Sequence, residues 1–211
     1  MNVIVVMVVL VVVGNAIATH ANTKHLTNQT THSMASSILD LLRPILEFVS
    51  NSKENNNFKE DLAMSESSNG SDVVTEYKGK EYMGMYQYGD ARLKDYIVGT
   101  TKFTLEDLNT EPNILQDFKT KFDDNEKLQQ KVMSWSVNDN NSYIDSRSLD
   151  EYIGQELNGV KITREGLQAG AHLGGKTGLR KFLESGMEIQ GENDGFDGNT
   201  YVSDYIQKFS K

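Results

Sequence analysis

Two short stretches carry the residue types from which a catalytic site could be built: Glu66-Ser67-Ser68-Asn69-Gly70 and Gly84-Met85-Tyr86-Gln87-Tyr88-Gly89. Phe58, Leu62 and Met64 precede the first at helical spacing, which puts Glu66 at the end of a helix. The second is rich in glycine, aromatic and amide groups and would fold back over that carboxylate. Such an arrangement suits cleavage of a glycosidic bond. A carboxyl whose pKa is raised by partial burial protonates the leaving oxygen, while aromatic and amide groups orient the sugar. Taken alone, a glutamate beside two serines is more often a solvated helix end, and these residues by themselves favour that plainer assignment.

Competing chemistries find less to work with. His20, His25 and His32 fall in a polar stretch near the N-terminus, and only His172 falls among the periodic apolar segments, so a Ser-His-Asp arrangement is not supported. In Ala169-Gly170-Ala171-His172-Leu173-Gly174-Gly175 a single histidine reads as structural or groove-lining. No HExxH, phosphate-binding-loop or dinucleotide GxGxxG motif is expected. Glu192 to Asn199 is acidic and glycine-rich but lacks the alternating ligands and terminal glutamate of a calcium loop, and reads as a solvated turn. No metal or other cofactor is expected. The absence of cysteine removes disulfides, thiolate zinc sites and Cys nucleophiles. With 21 Lys+Arg against 30 Asp+Glu the net charge is −9, which gives no electrostatic footprint for binding nucleic acid.

The elements that must position these residues follow from periodicity and caps. Val3 to Val13 is an unbroken apolar run followed by Ala16-Ile17-Ala18, a small-x-small pattern, so residues 1–18 read as a signal peptide and the protein as secreted. The run is shorter than the ~20 apolar residues of a spanning helix, so stable membrane insertion is not expected. Asn28, Asn69 and Asn140 begin glycosylation sequons, which matter only in a eukaryotic source. Residues 19–57 form a polar leader with one amphipathic helix over about 37–49, kinked at Pro44. Residues 58–211 form the main domain. There, Val73 to Tyr88 reads as the one β-hairpin, turning at Lys78-Gly79-Lys80. The rest is helical: a Thr104–Asp107 capping box, a helix led by Pro112, and one from Asn125 through Val137. Another opens at Ser148 and closes at Asn158-Gly159, and a further one is capped by Thr163 and ended by Gly174-Gly175.

The order Glu-Ser-Ser, Gly-x-x-Gln, Ala-Gly-Ala-His-Leu-Gly-Gly resembles the lysozyme superfamily, in particular its lytic transglycosylase and goose-type branch. The chain is more similar still to lysozyme-like peptidoglycan-cleaving domains of phages and bacteria. Gly84 to Gly89, Gly159 to Leu167, His172-Leu173-Gly174-Gly175 and Gly198 to Tyr205 carry that likeness, which spans about Phe58 to Phe209. The resemblance implies a mainly α, α+β lysozyme-like fold: a helical bundle with a small β-hairpin beside the active-site cleft. It implies Glu66 as the catalytic acid at the bond between N-acetylmuramic acid and N-acetylglucosamine, with Tyr86, Gln87 and His172 binding substrate. The partner would be peptidoglycan or a related N-acetylated glycan. The motifs fix no second carboxylate, and Glu76, Glu81 and Asp90 all lie near in sequence. Inverting hydrolysis needs one ~6.5–9.5 Å from the acid, whereas transglycosylation can use one glutamate twice. Both stay open, as do a chitin-active enzyme and a catalytically inactive glycan-binding or effector protein. The charge of −9 does not favour long-range attraction to anionic bacterial envelopes.

Overall fold

The computed structural model describes residues 40, 42–43, 57–67, 74–77, 79–186, 188 and 200–210. The chain divides into two units, Met1–Ser52 and Lys53–Lys211. In the first, Asp40, Leu42 and Arg43 are helical, and Arg43 pairs with Asp40 at 3.1 Å. The signal, nearly all of the leader with its helix, and the acidic turn 192–199 lie outside the described residues. Among the described residues no helix is long and apolar enough to cross a membrane.

The second unit is mainly α with small antiparallel sheets. Its first helix (α1, residues 57–66) forms because Phe58 and Leu62, one turn apart, both go into the core. The expected hairpin follows as β1 (Thr75–Tyr77) and β2 (Lys80–Met83), turning at Gly79 with φ 73°. A third strand, β3 (Tyr88–Gly89), extends it in the order β1-β2-β3, pairing Met83 with Tyr88. Two residues are too short for a period-2 signal, so only the pairing reveals this strand.

The helices α2 (Asp90–Thr100), α3 (Leu105–Thr110) and α4 (Pro112–Asp123) come next. Thr104 and Asp107 exchange both bonds of the capping box, at 3.1 and 2.7 Å, and Pro112 occupies the first turn of α4. The helix α5 is capped by the Asn125 side chain as expected but runs as Glu126–Ser146, well past Val137. The Asn/Asp-rich stretch beyond Val137 is helical too and makes tertiary contacts: Asp139 and Asn140 bind Arg92.

Two further expectations are corrected. Ser148 does not cap an α-helix; it has φ 53°, makes no capping bond and leads a 3-10 turn, Leu149–Tyr152. Asn158-Gly159 is no helix end but the turn of a second hairpin, β4 (Glu156–Leu157) with β5 (Val160–Lys161). Both turn residues have positive φ, 51° and 79°, a preference that serves a hairpin as readily as a helix C-terminus. Thr163 does cap the next helix, α6 (Arg164–Glu184), accepting from the Gly166 N–H. Gly175, at φ 68° and ψ 164°, is non-helical, so α6 is two helical segments that meet at a kink where Gly174-Gly175 was expected to end the first.

The last helix, α7 (Val202–Phe209), packs on α6 along Gly166, Gly170 and Gly174. A Cβ on Gly174 would sit 2.5 Å from Val202, and one on Gly170 3.0 Å from Ile206. The small-residue stripe thus sets how closely α7 approaches. One buried cluster gathers Phe58, Leu62, Tyr86, Tyr88, Leu93, Phe122 and Met133; a second gathers Ile144, Leu149, Ile162, Leu167, Phe182 and Ile206. The pair α6 and α7 borders both, since Ala169, Tyr205 and Phe209 belong to the first.

Candidate active site

Glu66 is the last helical residue of α1, and its side chain is only 13% exposed. The following turn is closed by Ser67, whose N–H and hydroxyl both donate to the Ala63 carbonyl. Two residues from the end of the chain's fold cover the carboxyl. The Tyr205 hydroxyl, on α7, donates to Glu66 Oε1 at 2.8 Å. His172 Nε2, on α6, stands 3.5 Å from the same oxygen. The imidazole is seated by the Tyr86 backbone carbonyl and lies edge-on to the Tyr88 ring at 5.3 Å.

The environment decides where protons sit. Burial pushes the Glu66 carboxyl up to about 7, although the Tyr205 hydrogen bond and the Lys208 charge both pull it down. Burial, helped by the positive charge of Arg92, holds His172 down at about 4 against the Tyr86 carbonyl. Near pH 6 the pair is a protonated carboxyl beside a neutral imidazole. A carboxyl that keeps its proton near neutrality can give it to a leaving oxygen and take one back afterwards.

The structure brings Glu66 together with His172, and gives Tyr86 and Gln87 supporting positions. The Tyr86 ring is 1% exposed; its hydroxyl donates to Gln130 at 2.9 Å and burial raises it to about 12. Its backbone carbonyl, not its ring, serves the site. Gln87, at φ 48°, donates from Nε2 to the Gly84 carbonyl at 2.9 Å and accepts from the Thr75 hydroxyl, so its amide ties the turn to β1.

The three acidic candidates are placed differently. Lys119 bridges Glu81 at 2.6 Å and Asp90 at 2.9 Å, with its own side chain 8% exposed. Burial works against that ammonium, but the two carboxylates outweigh it and raise its pKa. Both acids are therefore committed to a clamp between β2, α2 and α4. Glu76 is exposed and stands opposite Glu81 in the strand register.

Sequence reasoning singled out neither Tyr205 nor Lys208. The first had a signal, since it closes the Gly198 to Tyr205 stretch; the second had none. One expectation about motifs is corrected: residues 170–177 do spell Gly-x-x-x-x-Gly-Lys-Thr, the spacing of a phosphate-binding loop. Here Gly170 to Gly174 are helical and Lys176 is bound to Asp139 at 2.8 Å, so no cradle of free N–H groups forms. Among the described residues no group of His and carboxylates is arranged to hold a metal ion. Asp61, Met64, Ser65, Lys208 and Phe209, but not Glu66, Tyr205 or His172, line a pocket of about 240 Å³ between α1 and α7.

Comparisons with protein-family models, curated proteins and solved structures give no match. The functional reading therefore rests on this chain's own geometry.

Proposed function

We propose that the protein is a secreted peptidoglycan-cleaving glycosidase of lysozyme-like fold, a muramidase or lytic transglycosylase. Its target is the bond between N-acetylmuramic acid and N-acetylglucosamine. One observation carries the reading: a buried helix-end carboxyl, raised to about 7, with a tyrosine hydroxyl at 2.8 Å and a neutral histidine at 3.5 Å. In the first step the Glu66 proton passes to the glycosidic oxygen as the bond from the sugar carbon breaks and that ring takes on oxocarbenium character. The Tyr205 hydrogen bond and the Lys208 charge, which both favour the ionised form, stabilise the carboxylate left behind. That carboxylate then accepts a proton from the attacking oxygen, either water or the substrate's own 6-hydroxyl.

The test is to incubate the full chain and Glu66→Gln with purified peptidoglycan and analyse the fragments by mass spectrometry. The substitution keeps shape and removes the acid, so turnover falls by about 10²–10⁴ while the circular dichroism spectrum is retained. Reducing muramic ends identify hydrolysis and 1,6-anhydro ends identify transglycosylation. Equal inactivity of the two proteins overturns the enzyme reading.

A further inference from the structure

The proposed acid is shut in by its own fold. The side chains of Glu66 and His172 are only 13% and 10% exposed, and Tyr205, which donates to Glu66 Oε1, is itself buried. A glycan chain has to bring a glycosidic oxygen within hydrogen-bonding distance of that carboxyl. Some seam of the fold must therefore part, and the contacts of α7 single one out.

Against α6, α7 is held by shape. Val202 and Ile206 are buried on the glycine stripe, where added Cβ atoms would crowd them. Against α1 the attachment is of another kind. The exposed Lys208 donates to the Ser65 hydroxyl at 2.6 Å, and the Phe209 ring meets Phe58 edge-on at 5.7 Å. Packing between these two helices is incomplete. The void of about 240 Å³ between them reaches Ser65 and stops one residue short of Glu66, and Met64 on its wall is 58% exposed. A seam that holds a void and is closed by a solvent-exposed polar bond opens more readily than one packed without gaps.

We propose that the Lys208–Ser65 bond is a latch on the candidate site. While it is made, α1 and α7 close over the carboxyl; when it breaks, the seam between them parts and admits the substrate to Glu66. Tyr205 keeps its bond to Oε1 throughout, so opening gives access to the other carboxyl oxygen. Lys208 stays on α7, one turn from Tyr205, and its charge still acts on the carboxylate. The part played by the latch in turnover rests on the glycosidase reading, whereas the gating of Glu66 does not.

The chain has no cysteine, so Ser65→Cys with Lys208→Cys sets a unique pair of thiols across the seam. The full chain carrying both is joined by a short bis-methanethiosulfonate reagent, a link that reductant cleaves. Two rates are read on the linked and reduced forms. One is carbodiimide-promoted coupling of glycinamide to Glu66, followed by peptide mass spectrometry with the exposed Glu76 as internal standard. The other is release of fragments from purified peptidoglycan. The link slows both by about tenfold and reduction restores them, because a group shut in by the fold reacts only through its open state. Ser65→Ala removes the latch hydroxyl without entering the site, and speeds Glu66 coupling several-fold with circular dichroism unchanged. Glu66 coupling that ignores either the link or Ser65→Ala overturns the latch, whatever the turnover, and so does a linked protein that cleaves as fast as the reduced one. Gated coupling without cleavage by any form, the unsubstituted chain included, leaves the latch standing and sinks the glycosidase.

Discussion

Two buried polar clusters meet at α6 and are built on opposite principles. Around Arg92 every charge is answered: its guanidinium reaches Asp139 at 2.7 Å, Asn140 at 2.9 Å and both the hydroxyl and carbonyl of Ser136, and it lies over the Trp135 ring at 4.9 Å. Lys176 adds a second cation to Asp139 at 2.8 Å. Burial opposes ionisation of Asp139, but the bonds from Lys176 and Arg92 prevail and hold it below the usual carboxylate range. Around Glu66 the contacts are a tyrosine hydroxyl and a neutral imidazole, the Lys208 ammonium is bonded to Ser65 and acts only through its charge, and burial prevails instead. Two carboxyls in one unit are thus shifted in opposite directions from the usual carboxylate range, because partners rather than burial alone decide the protonation state. The clusters also communicate: the Arg92 charge helps keep His172 neutral.

Breaking the charged cluster has the largest expected effect on stability. Arg92→Met removes one of the two cations bonded to Asp139 and the donor to Asn140, at a cost of about 3 kcal/mol in urea unfolding. A loss below about 1 kcal/mol would mean that the cluster behaves as an ordinary surface pair and that the contrast is false.

The neutral cluster is sharpened by pH. Between about pH 4.5 and 6.5 the unfolded chain carries its proton on the histidine, whereas the native pair carries it on Glu66. The proton counts are equal, so the pair contributes no slope to stability. Each single substitution exposes the other member. In Glu66→Gln, the lowered His172 costs stability as pH falls from about 6.5 toward 4. In His172→Gln, the raised Glu66 costs stability as pH rises from about 4.5 through 7. Urea midpoints read against the unsubstituted protein should show slopes of opposite sign, each up to about 1.4 kcal/mol per pH unit. Slopes of the same sign would refute the neutral-pair assignment.

The smallest effect concerns Tyr205. Its hydrogen bond lowers the Glu66 pKa, so Tyr205→Phe moves the alkaline limb of the pH–rate profile to higher pH. An unmoved limb, with the fold intact, would show that the hydroxyl does not tune the acid.

Local chemistry was legible wherever it acts over a few residues. The Thr104–Asp107 box, Pro112 leading a helix, the Asn125 and Thr163 caps and the Gly79 turn are all as the sequence pattern implies. So is Glu66 at a helix end, because Phe58 and Leu62 need no distant residue to define a buried stripe. What failed was reading ambiguous signals without their neighbours. Asn158-Gly159 fits two turn types, and only pairing of Glu156 with Lys161 chooses the hairpin. The helix expected through Val137 runs on because Asp139 and Asn140 find a partner in Arg92, 47 and 48 positions earlier. Glu81 and Asp90 look like free acids until Lys119, more than 25 residues later, is folded between them.

The sequence by itself therefore determined that a carboxyl would end α1 and that a glycine- and aromatic-rich turn would follow it. Tertiary structure alone decided that the carboxyl keeps its proton. That state comes from burial of the carboxyl, which outweighs the hydrogen bond from Tyr205, 139 positions away, and α7 reaches the site only because the glycine face of α6 lets it pack closely. Periodicity and caps act through adjacent dihedrals, whereas a pKa depends on every group that displaces water, and those groups are chosen by the fold.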